Sequence, residues 1–295
     1  MPEKIVILGC GFVGVRAARL FAAAGWDAVG VTRSSESVLA LAGEPYRILA
    51  CDITDPRALA SAGDLAGASA VISAVSSGRG GEETYRAVYL HGLENAISIL
   101  KPARVLFTSS TSVYAQNDGA WVTEQSPAHP LSATSRILRE AEEMALRHGG
   151  QVARLAGIYG PGRSVLLRKF IDGTAFIEGA GARHINQIQV DDAAHALFHL
   201  IATHQPPGIY NVSDDTPITQ RACYEWLAAH LGRPLPHRGD IDPNRKRGVT
   251  DKRVSNAKLR ASGWSPVYPS FQEAVIRDPA LLAAARAGGT GDAPP

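Results

Sequence analysis

The chain has 295 residues, 45% of them hydrophobic and 20% charged, which supplies a full core and excludes a disordered chain. Its 30 basic and 28 acidic side chains give a net charge of +2, too balanced for the basic excess of a dedicated nucleic-acid binder. The longest uncharged stretches, such as 65–78, run to about fourteen residues and fall short of the roughly twenty apolar residues of a membrane-spanning helix.

Ile5-Val6-Ile7-Leu8 is a continuous apolar run ending at glycine and predicts the first strand. Residues 13–24 have helical composition and stop at Gly25, and 27–32 are strand-like again. Residues 46–51, 70–75, 104–108 and 151–155 repeat the strand pattern. Strands that are apolar throughout belong to a parallel sheet covered on both faces. Their alternation with helical segments implies right-handed βαβ units and an α/β, doubly wound sheet, order 3-2-1-4-5 with further strands. After Gly160 the rhythm changes. A helix (192–202), a strand (208–212) and two more helices (220–231 and 256–262) follow, with a loop rich in charge and proline between the last two. The expected organisation is a nucleotide-binding domain over 1–160, joined by 187–212. A small C-terminal lobe takes 161–186 and 213–277, and 278–295 is a frayed tail of Gly, Pro and Ala.

Gly9-Cys10-Gly11-Phe12-Val13-Gly14 reads GxGxxG, directly after the first predicted strand and opening the first predicted helix. In that context the first glycine permits the tight turn, the second lets backbone approach a diphosphate, and the third lets helix and strand pack closely. Free N–H groups at the helix start then bind the anion. This makes the sheet Rossmann-type. The second strand ends Val31-Thr32-Arg33-Ser34, without the acid that bonds a ribose 2′-hydroxyl in NAD sites. Arg33, with the hydroxyls of Thr32 and Ser34, suits a 2′-phosphate, so NADP is preferred and NAD remains open through Glu36. Asp52, with Ile53, reaches the adenine edge in such a fold; the competing reading is a helix cap by Asp52 or Asp55 ahead of Pro56.

Five ordered segments resemble the short-chain dehydrogenase/reductase superfamily, in its extended branch of nucleotide-sugar epimerases and dehydratases. Phe107-Thr108-Ser109-Ser110-Thr111-Ser112-Val113-Tyr114 is similar to its strand-five motif with the active-site serine. Arg154-Leu155-Ala156-Gly157-Ile158-Tyr159-Gly160-Pro161-Gly162 is similar to its R-x-x-x-x-Y-G-P-G turn. Gln189-Val190-Asp191-Asp192, the run Gly208-Ile209-Tyr210-Asn211-Val212, and Ser255-Asn256 through Gly263-Trp264 complete the resemblance, which spans residues 4–274. It implies hydride transfer between a nicotinamide cofactor and a carbonyl or hydroxyl of a small or nucleotide-linked sugar substrate. The element order itself places Gly9 to Gly14, Arg33, Ala74, Val75, Ser110 and Arg136 around one groove at the carboxyl ends of the strands, and Ser109 is a further cofactor-binding candidate. A homodimer is the oligomer this superfamily often forms.

The catalytic match is broken. The superfamily's Tyr-x-x-x-Lys aligns here with Ser132 and Arg136. Arg136 keeps a positive charge for the cofactor ribose. An unactivated serine hydroxyl ionises far above the ~10 of tyrosine, so Ser132 is a poor proton donor. This pattern resembles an atypical subgroup with altered active sites. Ser110 is the mapped serine, with a local structural role as its alternative. Tyr114 is the nearest substitute acid/base, with packing or substrate lining as the competing role. Thr111, Tyr159 and Arg163 are substrate-side candidates, and Arg245 and Arg247 match lobe residues that hold a substrate diphosphate. A non-catalytic NADPH-binding sensor is the second functional reading.

His195 and His199 share a helix face but lack a third ligand, so no metal site is expected. Asp191 and Asp192 read as helix-start carboxylates. Three cysteines (Cys10, Cys51, Cys223), odd in number and without CxxC, exclude a disulfide framework and suggest a reducing cytoplasm. An N-terminal apolar run broken by glycines argues against a signal peptide.

Overall fold

Seven of the apolar runs become one parallel sheet in the computed structural model, which describes residues 2–78, 80–241 and 250–287. They are β1 (Lys4–Leu8), β2 (Asp27–Thr32), β3 (Arg47–Ala50), β4 (Ala70–Ser73), β5 (Arg104–Ser110), β6 (Gln151–Leu155) and β7 (Gly208–Val212). In space they lie in the order β7-β6-β5-β4-β1-β2-β3, which is the Rossmann order with the reversal between β1 and β4. Every neighbouring pair is parallel. Parallel neighbours require crossovers, and helices supply most of them.

The alternation within β1 shows why its sequence is apolar without a break. Ile5 and Ile7 pack on one face with Ala17, Ala18 and Phe21 of α1 (Gly14–Ala23), and with the helix 190–202. Val6 and Leu8 pack on the other with Leu59 of α3 (Pro56–Ser61), which follows α2 (Ser35–Ala40), and with Ala96. Both faces are therefore dry. Between β4 and β5 the chain runs through α4 (Glu82–Tyr85) and a π-helical segment, Arg86–His91, into α5 (Gly92–Leu100). Between β5 and β6 stands α6 (Ala133–Arg147).

The lobe has its own core. Leu167 and Phe170 of α7 (Val165–Ile171) meet Tyr224 and Leu227 of α9 (Gln220–Leu231), while α8 (Val190–Ala202) stays with the sheet. The packing redraws two expected boundaries. Leu259, on α10 (Ala257–Ala261), and Trp264 are buried with the α1 face of the sheet, not with the lobe. The expected fraying from 278 is corrected over α12 (Pro279–Arg286), which follows α11 (Phe271–Arg277). The physical reason is local and tertiary together. Asp278 caps α12 by accepting from the N–H groups of Ala280 and Leu281, and Pro279 sits in its first turn. Leu281 and Ala285 then bury themselves against the lobe core.

A frayed tail tolerates truncation of Leu281, whereas a packed helix does not. Leu281→Ala is expected to destabilise the protein by about 2–4 kcal/mol in urea unfolding; a change under about 0.5 kcal/mol would return this segment to the tail.

Candidate functional site: a phosphate turn and a hydroxyl-lined groove

The carboxyl ends of all seven strands share one rim, so the segments leaving β1, β2, β3, β4 and β5 line one groove. At its centre the three glycines of the first turn have three different reasons. Gly9 has φ +85, and a Cβ there would lie 2.5 Å from the Val75 Cα. The turn thus abuts the Ala74-Val75 backbone, and the Ala74 N–H is bonded to the Leu8 carbonyl at 2.8 Å. Gly14 would place a Cβ 2.3 Å from the Gly9 carbonyl oxygen, so α1 can start this close to β1 only without a side chain. A Cβ on Gly11 would meet nothing within 4 Å and faces open space.

The amides divide accordingly. Gly9 and Cys10 donate to the Val31 carbonyl and Gly11 donates to that of Gly9. Among the described residues the N–H groups of Phe12 and Val13 have no acceptor, and no side chain caps α1. They form an open anion-binding end on the helix dipole. Cys10 points away from it, packing against Gly30 with its thiol 3.3 Å from the Tyr46 hydroxyl. Burial pushes that thiol up to about 11, so it is not a nucleophile.

At the β2–β3 end, Arg33 lines an open cleft of about 330 Å³ with Asp52, Thr54, Glu83 and Thr84. Thr32 and Ser34 are tied locally. Thr32 Oγ1 donates to the Ser34 carbonyl at 3.2 Å, and Ser34 caps α2 by accepting from the Ser37 N–H. Among the described residues lining this cleft, Arg33 is the basic one. Asp52 holds Thr54 in an Asx turn through contacts of 2.9 and 2.7 Å, while the cap of α3 is Asp55. Ile53 is buried against Gly92.

The β5 end departs most from expectation. Ser110 is half-buried, and its Oγ accepts from the Ser112 N–H at 3.1 Å, leaving its proton for a ligand. Thr111 is nearly buried. The Ser109 side chain is turned to a buried carboxylate. Its Oγ donates at 2.6 Å to Glu142, a wholly buried carboxylate that also receives Arg154 Nε at 2.9 Å and Nη2 at 2.6 Å, and an Arg139 nitrogen. Of its two readings, Tyr114 takes the packing one. It is fully buried, with Arg154 4.7 Å above its ring and its hydroxyl against Asn211 Oδ1 at 2.8 Å and the Thr123 carbonyl at 2.9 Å. Burial holds its hydroxyl above the ordinary tyrosine range, the wrong direction for an acid/base at neutral pH. Ser132 is the N-cap of α6, accepting from the Ser135 N–H at 3.1 Å. Its hydroxyl continues through Ser135 Oγ (2.9 Å) to Ser112 Oγ (3.0 Å), tying the start of α6 to the Ser110 turn. Arg136 is exposed and donates to the Leu131 carbonyl at 3.1 Å.

On the lobe side, Tyr159 is buried against Phe271 in the lobe core and does not line the groove. Arg163 lies with its guanidinium 5.2 Å from the Phe12 ring centroid, at the phosphate turn rather than beyond it. Arg245 and Arg247 lie outside the described residues. Asp191 pairs with Arg16 at 2.7 Å. Asp192 is buried and accepts the Val267 and Tyr268 N–H groups, with burial raising its carboxyl, while Gln189 caps α8. His199 bonds Ser262, and among the described residues no cluster of potential ligands holds a metal. All three cysteines are free and buried, and no described helix is long and apolar enough to cross a membrane.

Sequence reasoning missed Glu142, whose negative charge stands mid-helix like any exposed glutamate. It also missed Lys252, which burial, helped by Arg183, lowers to about 8. Arg154 was visible as a motif position, but its partner was not.

Three comparisons bear on the site. The model of the NAD dependent epimerase/dehydratase family matches residues 5–213. Protein YeeZ of Escherichia coli (strain K12) is 29% identical over 268 residues, covering 86% of this chain and 93% of YeeZ. A Methylobacillus flagellatus structure described as a candidate NAD-dependent epimerase/dehydratase is 30% identical with a TM-score of 0.78, over 97% of this chain and 100% of its own. At 19% identity, MoeE5 in complex with UDP-glucose and NAD shares the fold, with a TM-score of 0.77 over 98% of this chain and 100% of its own.

Removing the Glu142 carboxylate leaves the Arg154 guanidinium buried without its partner. Glu142→Ala is expected to cost about 3–5 kcal/mol in chemical denaturation. A loss below about 1 kcal/mol would mean that water or another group serves Arg154 equally well.

Proposed function

This chain belongs to the NAD dependent epimerase/dehydratase family, and on that premise we propose that it binds NADP(H) and transfers hydride to or from a carbonyl or hydroxyl carbon of its substrate. The observation that carries the reading is the phosphate turn: two unpartnered amides at the start of α1, beside a glycine whose missing side chain leaves open space. A diphosphate there directs the adenosine half over β2 and β3 and the nicotinamide half toward β4 and β5. The substrate is a small or nucleotide-linked molecule, a class supported by the UDP-glucose bound to the structurally similar MoeE5.

The residues divide the work. Gly11, Phe12 and Val13 take the diphosphate, and Arg33 takes the 2′-phosphate through two parallel hydrogen bonds. Ser110 donates its hydroxyl proton to the reacting oxygen, and Arg136 has only to leave Leu131 to reach the cofactor ribose. The nicotinamide ring supplies hydride chemistry when bound. Neither Ser132, which caps a helix, nor Tyr114, which is sealed, stands ready to exchange the substrate proton. That observation favours a second reading, an NADPH-holding sensor without turnover.

Two experiments test these readings. NADPH oxidation with a panel of carbonyl and nucleotide-sugar substrates is expected to reveal turnover that Ser110→Ala lowers by about 10²-fold or more. Absence of turnover with every substrate, alongside micromolar NADPH binding, would select the sensor. For the cofactor, Arg33→Ala is expected to weaken NADPH by about tenfold or more in calorimetric titration and NADH by less than about twofold. Equal losses would refute the NADP preference.

A further inference from the structure

We propose that Tyr89 supplies the proton when the substrate carbonyl is reduced. This rests on the hydride-transfer reading above and deepens it, because that reading leaves the net proton without a source. Ser132 caps a helix and Tyr114 is sealed. Ser110 is an aliphatic hydroxyl, whose hydrogen bond orients the reacting oxygen but which ionises far above the ~10 of tyrosine.

The position of the Tyr89 hydroxyl comes from two neighbouring strand ends. Val75, just beyond β4, packs on Gly9, and two residues on the Ser77 N–H donates to the Tyr89 hydroxyl at 3.4 Å. The Tyr89 ring stands edge-on to Phe107, with centroids 6.4 Å apart. Phe107 pairs with Ser73, the last residue of β4, and lies three residues before Ser110 on β5. The hydroxyl therefore stands where β4 and β5 end, between the segment that packs on the phosphate turn and the strand that carries Ser110. This is the nicotinamide half of the groove.

Tyr89 belongs to the π-helical segment Arg86–His91. Such a turn, closed by i→i+5 bonds, is rare and recurs at functional sites. Both of its ends are fixed. Arg86 pairs with Glu140 of α6 at 2.7 Å. A Cβ on Gly92 would lie 2.7 Å from Ile53 Cδ1, so α5 starts directly on Ile53.

Hydrogen-bond polarity separates Tyr89 from Tyr114. The Tyr114 hydroxyl faces two acceptors, the Thr123 carbonyl and Asn211 Oδ1, so its proton is engaged. The Tyr89 hydroxyl accepts from Ser77, and among the described residues nothing accepts its proton. Burial, helped by Tyr85, raises Tyr89 above the ordinary tyrosine range, against the lowering effect of the Ser77 amide and the Ser77 and Ser76 hydroxyls. Tyr89 is thus neutral near pH 7, a donor and not a base. In the reduction the carbonyl carbon takes the hydride of the reduced cofactor, which leaves oxidised. The π pair of the C=O bond moves to oxygen, that oxygen takes the Tyr89 proton, and the phenolate recovers a proton from water. An alkoxide is far more basic than a phenolate, so the proton moves in this direction.

Fluorine NMR of protein carrying 3-fluorotyrosine at position 89 reads the placement without turnover, and fluorination brings the titration of the hydroxyl to lower pH. Saturating NADP⁺ carries a cationic ring to this half of the groove and is expected to move the midpoint down by about one pH unit, whereas 2′,5′-ADP, which lacks the nicotinamide, should move it by less than about 0.2. Turnover gives the second readout. Tyr89→Phe is expected to slow NADPH oxidation with the carbonyl panel by about 10²-fold or more, with NADPH affinity within about twofold and the melting temperature unchanged. The inference is overturned if NADP⁺ leaves the fluorine titration in place, if 2′,5′-ADP moves it equally, or if Tyr89→Phe turns over like wild type. Wild type that binds no NADP⁺ would instead remove the dinucleotide reading, and wild type that binds NADPH but reduces nothing would remove the hydride reading; either result takes this inference with it.

Discussion

The contact on which the rest depends is the approach of α1 to its own strand. The Gly14 position sits against the Gly9 carbonyl with no space for a methyl group, and Gly9 sits against Val75 in the same way. Those two close approaches aim the first turn of α1 at the rim of the sheet and leave the Phe12 and Val13 amides without partners. A protein leaves buried or half-buried donors unpaired at a cost, and a helix start open to a groove is where an anionic ligand offsets it. The parallel sheet supplies the rigid base, because β1 is held on both edges and dry on both faces.

Around that fixed point the two halves of the groove differ in character. The β2–β3 half presents a basic side chain, Arg33, on a cleft open to solvent. At the β5–α6 half, hydroxyls largely bond to one another. Ser112, Ser132 and Ser135 form a chain that staples the start of α6 to the Ser110 turn. Ser132 serves here as a helix cap, worth about 1 kcal/mol. Beneath it, Glu142 joins Ser109 on β5, Arg139 on α6 and Arg154 on β6. Arg154 then covers Tyr114, which reaches Asn211 on β7. Buried charge of this kind stabilises little over an apolar core, but breaking it is costly, so it fixes one arrangement of three strands and a helix.

The lobe meets the sheet in part through a buried side-chain carboxylate that accepts backbone amides. Asp192 of α8 takes two amides from the 267–268 loop, and Asn256 bonds the Ser213 carbonyl. Such polar seams separate with less loss than apolar ones.

The strands, their order around the phosphate turn, and the basic residue at the end of β2 were legible before folding was considered. Each is written locally: a run of apolar residues, glycines at fixed offsets, a side chain at a strand tip. Only the tertiary structure decided which hydroxyls and charges remain available. Ser109 and Ser132 look alike in sequence, yet one is used by a carboxylate 33 residues away and the other by an amide three residues on. Tyr114 reads as a candidate acid until Asn211, 97 residues away, closes over its hydroxyl. The segment after 278 reads as loose because its small residues bury only when the lobe core is already there to receive Leu281. Local pattern sets conformation, whereas the partner of a polar group is set by chain segments that meet only after folding.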